Sequence, residues 1–190
     1  MFIFRKIYHF LLDTIQTILI VASILMVIYA FVLQPNQVDG LSMYPTFHNG
    51  DLLLSNLLDV RFDSYKKGDV IVFHPPVEPD KLYIKRVIAV AGDTIMLKGG
   101  KVYLNGQVLD ESVYLASTVK TYGGAFLADG VTMTVPPGEI FVMGDNRPNS
   151  ADSREWGFLD KNRVVGRSLL RFFPIDTFHI IHNPYLEHKI

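Results

Sequence analysis

The sequence predicts a mainly β fold, a domain of antiparallel strands with a small β accessory part, preceded by one N-terminal transmembrane helix. Three observations predict it. Residues 14–33, TIQTILIVASILMVIYAFVL, carry no charge; short runs of β-branched and aromatic residues follow; and turn signals separate those runs at close intervals. Of the 190 residues 49% are hydrophobic, enough for one sizeable core once a membrane segment is set aside.

The uncharged run comes first. A 20-residue helix at about 1.5 Å per residue spans a hydrocarbon core of roughly 30 Å. Arg5 and Lys6 precede it and no Lys or Arg follows until Arg61, so the positive-inside tendency puts the N-terminus in the cytoplasm and the rest outside. A cleavable secretory signal is the competing reading. Its apolar core is usually roughly 7–15 residues, and Ile28-Tyr-Ala30 is a poor small-x-small cleavage site, so a retained anchor is favoured. The division expected is 1–13 cytoplasmic, 14–33 membrane anchor and 34–190 an extracytoplasmic β-rich domain, with about 94–140 as the accessory part.

Strands are expected at Asp51–Ser55, Asp69–Phe73, Leu82–Val90, Thr94–Leu97, Lys101–Leu104 and Glu139–Met143, with a final strand at Leu169–Pro174. Lys98-Gly-Gly-Lys101 and Leu104-Asn-Gly-Gln107 read as successive hairpin turns, giving a meander over about 94–109. Residues 110–135 carry no clear pattern, and Tyr122–Phe126 reads as a mobile loop.

Composition removes several function classes. With 18 basic against 19 acidic residues and no basic cluster longer than Arg5-Lys6 or Lys66-Lys67, nothing forms an electrostatic footprint for nucleic acid. The absence of cysteine removes disulfides, thiol nucleophiles and cysteine-ligated metals. His179 and His182 lack a third ligand at useful spacing, so neither a metal nor another cofactor is expected.

Three segments carry chemistry. In Gly40-Leu-Ser-Met-Tyr-Pro-Thr46, Ser42 follows the membrane run; a serine between a glycine and a proline is ordinarily a turn residue. Lys85 interrupts an apolar strand and by period two shares a face with Tyr83, Val87 and Ala89. Its stem could pack while its ammonium reaches water. Alternatively the amine is desolvated, which lowers its pKa and makes it able to take a proton from a serine hydroxyl, giving a Ser42/Lys85 dyad. Gly144-Asp-Asn-Arg-Pro-Asn-Ser-Ala-Asp-Ser-Arg154 is a polar run whose neighbouring charges, Asp145 with Arg147 and Asp152 with Arg154, suit a solvated loop or one built to orient a site beside Arg86.

In this order, after an N-terminal anchor, the segments resemble type I signal peptidases: Ser42-Met-Tyr-Pro-Thr46 matches S-M-x-P-T, Tyr83-Ile-Lys-Arg86 with Gly92-Asp93 matches the lysine motif, and Gly144 to Arg154 matches the last motif. The resemblance implies Ser42 as nucleophile and Lys85 as general base, Ser150 orienting the amine, and Asp145, Asp152, Arg86 and Arg154 holding the loop that opens at Gly144. The Ser42 N–H would serve the oxyanion. Many relatives carry a serine where this chain has Gly40, so a backbone group at Gly40 or a water would have to supply the second donor, as in the short Gram-positive form. Pro148 departs from a common aspartate. Val38, Met43, Tyr83 and Ile84 would line shallow pockets for small residues before the cut, and secretory preproteins and membrane lipid are the implied partners. A noncatalytic relative acting in assembly of surface structures would tolerate loss of Ser42 or Lys85; both are present. A β-lactamase-like serine enzyme wants a lysine three residues after the serine, where Pro45 stands.

Overall fold

The computed structural model describes residues 2–61 and 66–186. Residues 1, 62–65 and 187–190, which belong to the outer segments delimited above, lie outside the described residues.

Helix α1 spans Phe2–Phe31, longer toward the N-terminus than the uncharged run, because residues 2–13 contain neither glycine nor proline to stop it. Within it Phe4–Tyr29 is long and apolar enough to cross a membrane, and no protein surface covers that stretch. The helix ends two residues earlier than expected. Val32 N–H closes the last turn on the Ile28 carbonyl, and Leu33 already begins strand β1 (Leu33–Gln37), where Pro35 disfavours helix at the residue before it.

All strand pairing is antiparallel. The larger sheet contains β1, β2 (Leu52–Asn56), β3 (Val70–Phe73), β4 (Tyr83–Val90), β9 (Glu139–Met143), β10 (Leu159–Asp160), β11 (Val164–Phe173) and β12 (His179–Ile180). Its order is β1-β2-β11-β3-β4-β9-β10, with β12 beside β11. The smaller sheet, ordered β7-β6-β5-β8, holds β5 (Thr94–Lys98), β6 (Lys101–Leu104), β7 (Gln107–Val108) and β8 (Thr132–Thr134). The two anticipated hairpins are present. Lys98 pairs Lys101 across Gly99-Gly100, and Leu104 pairs Gln107 across Asn105 (φ 52°) and Gly106 (φ 80°), the left-handed pair that a tight two-residue turn requires.

Strand β4 joins the sheets. A register shift between Val87 and Ala89 breaks the two-residue period, so Val87 packs with Ile71, Phe73, Ile140 and Val142 while Ala89 turns into a second cluster with Ile95, Leu97, Leu127 and Phe141. Lys85 therefore does not share its face with Ala89. The strand expected at the C-terminal end starts earlier, at Val164, and is followed by β12. Segment 122–126 is pinned rather than loose: the N–H groups of Phe126 and Leu127 both donate to the Arg154 carbonyl, and Leu127 is fully buried.

Phe141 fills the cluster between the sheets. Phe141→Ala is expected to lower unfolding free energy by about 3–5 kcal/mol, read from urea denaturation of the detergent-solubilised protein.

Candidate active site

Ser42 sits in a turn held from both ends. Met43 and Phe47 are buried in a cluster with Val38 and Leu53, and the Phe47 N–H donates to the Met43 carbonyl. Gly40 adopts φ +100°, a conformation open to glycine, and its N–H donates to Asn49 Oδ1 at 2.8 Å. That N–H is thus engaged, whereas the Ser42 N–H donates to no acceptor among the described residues.

Strand β4 delivers Lys85 to this turn. Its side chain is buried, 3% exposed, with Nζ 2.7 Å from Ser42 Oγ and 3.0 Å from the Ile84 carbonyl oxygen. Burial lowers the amine pKa to about 8, against an opposing pull from the Asp152 and Asp145 charges. The next residue points the other way, as alternation demands. Arg86 forms a two-pronged pair with Asp145, Nε to Oδ1 at 2.9 Å and Nη2 to Oδ2 at 2.7 Å, stacks over the Tyr114 ring and donates to the Gly68 carbonyl.

The 144–154 loop closes the site. Asp145 also accepts from Thr46 Oγ1 at 2.6 Å, so a single carboxylate ties β4 to the Ser42 turn. Asn146 adds two bonds to that turn, its N–H to the Ser42 carbonyl and Nδ2 to the Leu41 carbonyl, both at 2.9 Å. Asp152 accepts from the Gly144 N–H and pairs with Arg154, while Arg154 donates to the Arg147 carbonyl. A Cβ at position 144 would stand 2.3 Å from Ser150 Oγ and 2.4 Å from the Ser42 carbonyl oxygen, which explains the glycine.

Three expectations need correction. Asp145 does not pair with Arg147 two residues on: its carboxylate is taken by Arg86, and Arg147, 1% exposed, reaches Glu111 and Thr121 instead. Ser150 does not hydrogen-bond the Lys85 amine. Its hydroxyl is buried against Gly144 with no partner, and the Ile84 carbonyl takes the second amine contact. Met43 is a core residue, turned away from the groove of about 640 Å³ that runs to the dyad; Val38, Tyr83 and Ile84 do line that groove, with Leu82, Asn149 and Ala151.

The sequence reading missed Glu111, Thr121, Thr46 and Asn146. Glu111 and Thr121 lie in patternless sequence and meet Arg147 only through tertiary packing. Thr46 and Asn146 stood inside the motifs already noted, but their bonds run between segments 99 and 105 residues apart in sequence. Among the described residues no group of three or more His, Asp or Glu could hold a metal ion.

Comparison with known proteins places the chain in a family. The family described as signal peptidase, peptidase S26, matches residues 11–173. A probable signal peptidase I-1 of Synechocystis sp. is 35% identical over 174 residues, covering 88% of this chain and 85% of the relative. Signal peptidase IB of Staphylococcus aureus is 34% identical over 185 residues, covering 92% and 95%. A crystal structure of a signal peptidase I from Enterococcus faecalis shares 29% identity with a TM-score of 0.44, covering 54% of this chain and 95% of that one. The chain belongs to the signal peptidase family, peptidase S26.

Proposed function

We propose that this chain is a membrane-anchored serine endopeptidase that removes signal peptides from secretory preproteins after small residues, with Ser42 as nucleophile and Lys85 as general base. The observation that carries the reading is the 2.7 Å contact between Lys85 Nζ and Ser42 Oγ, with the amine buried and its pKa lowered to about 8. A neutral amine at that distance accepts the hydroxyl proton as Oγ attacks the scissile carbonyl. The ammonium then protonates the leaving amine, which becomes the new N-terminus. An ester links Ser42 to the signal peptide until Lys85 deprotonates a water that hydrolyses it. The Ser42 N–H is the first oxyanion donor; Gly40 could serve as the second only by releasing Asn49.

Substrate geometry is supported by the strand edges. Strand β4 pairs with β3 from Tyr83 to Arg86, but β9 begins opposite β4 only at Arg86, so Tyr83–Lys85 keep one open side on which an extended peptide can add. Side chains before the cut then point into the groove beside Val38, Tyr83 and Ile84. The Arg86–Asp145 and Arg154–Asp152 pairs hold the loop. The anchor is read as a single span with the N-terminus in the cytoplasm and the domain of 34–190, including the smaller sheet, outside; Arg5 and Lys6 at its start support that orientation. Enzyme and membrane-held preprotein then meet at raised effective concentration.

Ser42→Ala and Lys85→Met are each expected to reduce cleavage of a purified preprotein in detergent by at least about a thousandfold, scored by N-terminal sequencing of product. Lys85→Met should melt no lower than wild type near neutral pH: the buried amine is disfavoured when charged, so below its pKa of about 8 the lysine opposes folding. Wild-type kcat/KM should climb about tenfold per pH unit below about 8 and level off above it; a rate flat across that range contradicts a lysine base. Gly144→Ala should leave the protein folded by circular dichroism but cut kcat at least about tenfold, because the added methyl displaces the Ser42 carbonyl.

A further inference from the structure

The loop that closes the active site is a wall with a cavity on each side. Asn149 and Ala151 face the groove described above, whereas Asn146, Pro148 and Ser150 face a second cavity of about 720 Å³. The far side of that cavity is built by residues 116–123 of the segment in which the sequence reveals no pattern. Its near side includes Tyr44 and Pro45, the second and third residues after the nucleophile.

The groove on the first side belongs to the residues before the cut, for a geometric reason. It is lined by Gln34–Gln37, the strand that follows the membrane helix with one residue between them, and a signal peptide enters from the membrane. A polypeptide whose scissile bond lies at Ser42 must continue past the turn, and the second cavity is the larger concave surface there, a smaller one of about 380 Å³ lying beside Pro45 and Thr46. Its rim is aromatic and open. Tyr44 is 48% exposed and Tyr122 59%, although neither is needed to cover core. Ser150 also lines the cavity, with its hydroxyl buried behind that surface against Gly144. Of its charged lining residues Asp145, Arg147 and Arg154 are already paired inside the protein, and Lys120 and Glu155 balance each other in sign, so the surface suits an extended peptide of mixed side chains rather than a strongly charged one.

Building on the peptidase reading, we infer that this cavity binds the first residues of the mature protein, those immediately after the cut, and that Tyr122 and Val119 set a preference among them. Binding energy gained there raises kcat/KM for acylation, because those residues are bound before their amine leaves. It also gives residues 116–123 a function that requires them to remain beside the nucleophile.

A cross-linking experiment tests the site without catalysis. Full-length Ser42→Ala protein in detergent is irradiated with a precursor peptide carrying benzoylphenylalanine at the third position after the cut, and adducts are mapped by mass spectrometry. Adducts on residues 116–123, Tyr44, Pro45 or Pro148 are expected; adducts confined to groove residues such as Leu82, or none above an unrelated photolabelled peptide, overturn the assignment. A kinetic arm compares a precursor with a long mature segment against one ending a single residue after the cut. Wild-type kcat/KM should favour the long form about tenfold, and Tyr122→Ala or Val119→Asp should bring that ratio below about threefold. An unchanged ratio in both variants overturns the proposal. Failure of the wild type to cleave either precursor sinks the peptidase reading instead, and the adduct map still decides where the peptide lies.

Discussion

The arrangement depends on keeping one amine out of water without giving it a carboxylate of its own. Desolvation makes the Lys85 ammonium a strong enough acid to be half neutral near pH 8, and the charges of Asp152 and Asp145 pull in the opposite direction. Each of those carboxylates is paired with an arginine, Asp145 with Arg86 and Asp152 with Arg154. Were either acid left bare, it would favour the ammonium form of Lys85 more strongly. The ion pairs therefore serve two ends: they fix the loop, and they offset part of the negative charge that the loop brings close to the lysine.

Strand alternation makes this possible at small cost. Lys85 and Arg86 are consecutive, so one strand presents the amine to Ser42 on one side and the anchor for the loop on the other. Asp145 extends the link by accepting from Thr46, and Asn146 binds the carbonyls of Leu41 and Ser42. The Ser42 turn, strand β4 and the loop are thus connected by hydrogen bonds, which limits how far the Oγ–Nζ distance can drift.

Much of this was legible because it is local. Alternating apolar runs, Asn-Gly and Gly-Gly turns and an uncharged membrane-length stretch each encode their own conformation, and the central strands and both hairpins follow from them. Ser42, Lys85 and the 144–154 run were legible through residue type and order. What stayed hidden depends on distant partners. Nothing near Arg147 indicates that its guanidinium passes its neighbour Asp145 to reach Glu111, and nothing near Ser150 indicates that its hydroxyl turns toward Gly144 and not toward the amine. Strand β1 was missed because it contains a proline, which only an edge strand tolerates, and edge position is a property of the whole sheet. Met43 looked like a pocket residue by adjacency to Ser42, yet a turn sends neighbours in opposite directions.

A single residue, Val32, separates the membrane helix from the first strand, and its carbonyl is held by the Leu57 N–H in the sheet. Such a joint has no slack. The domain is mounted on its anchor like a blade on a fixed post, so the height of the serine above the lipid is set by the protein's own geometry and not by how far a tether can stretch.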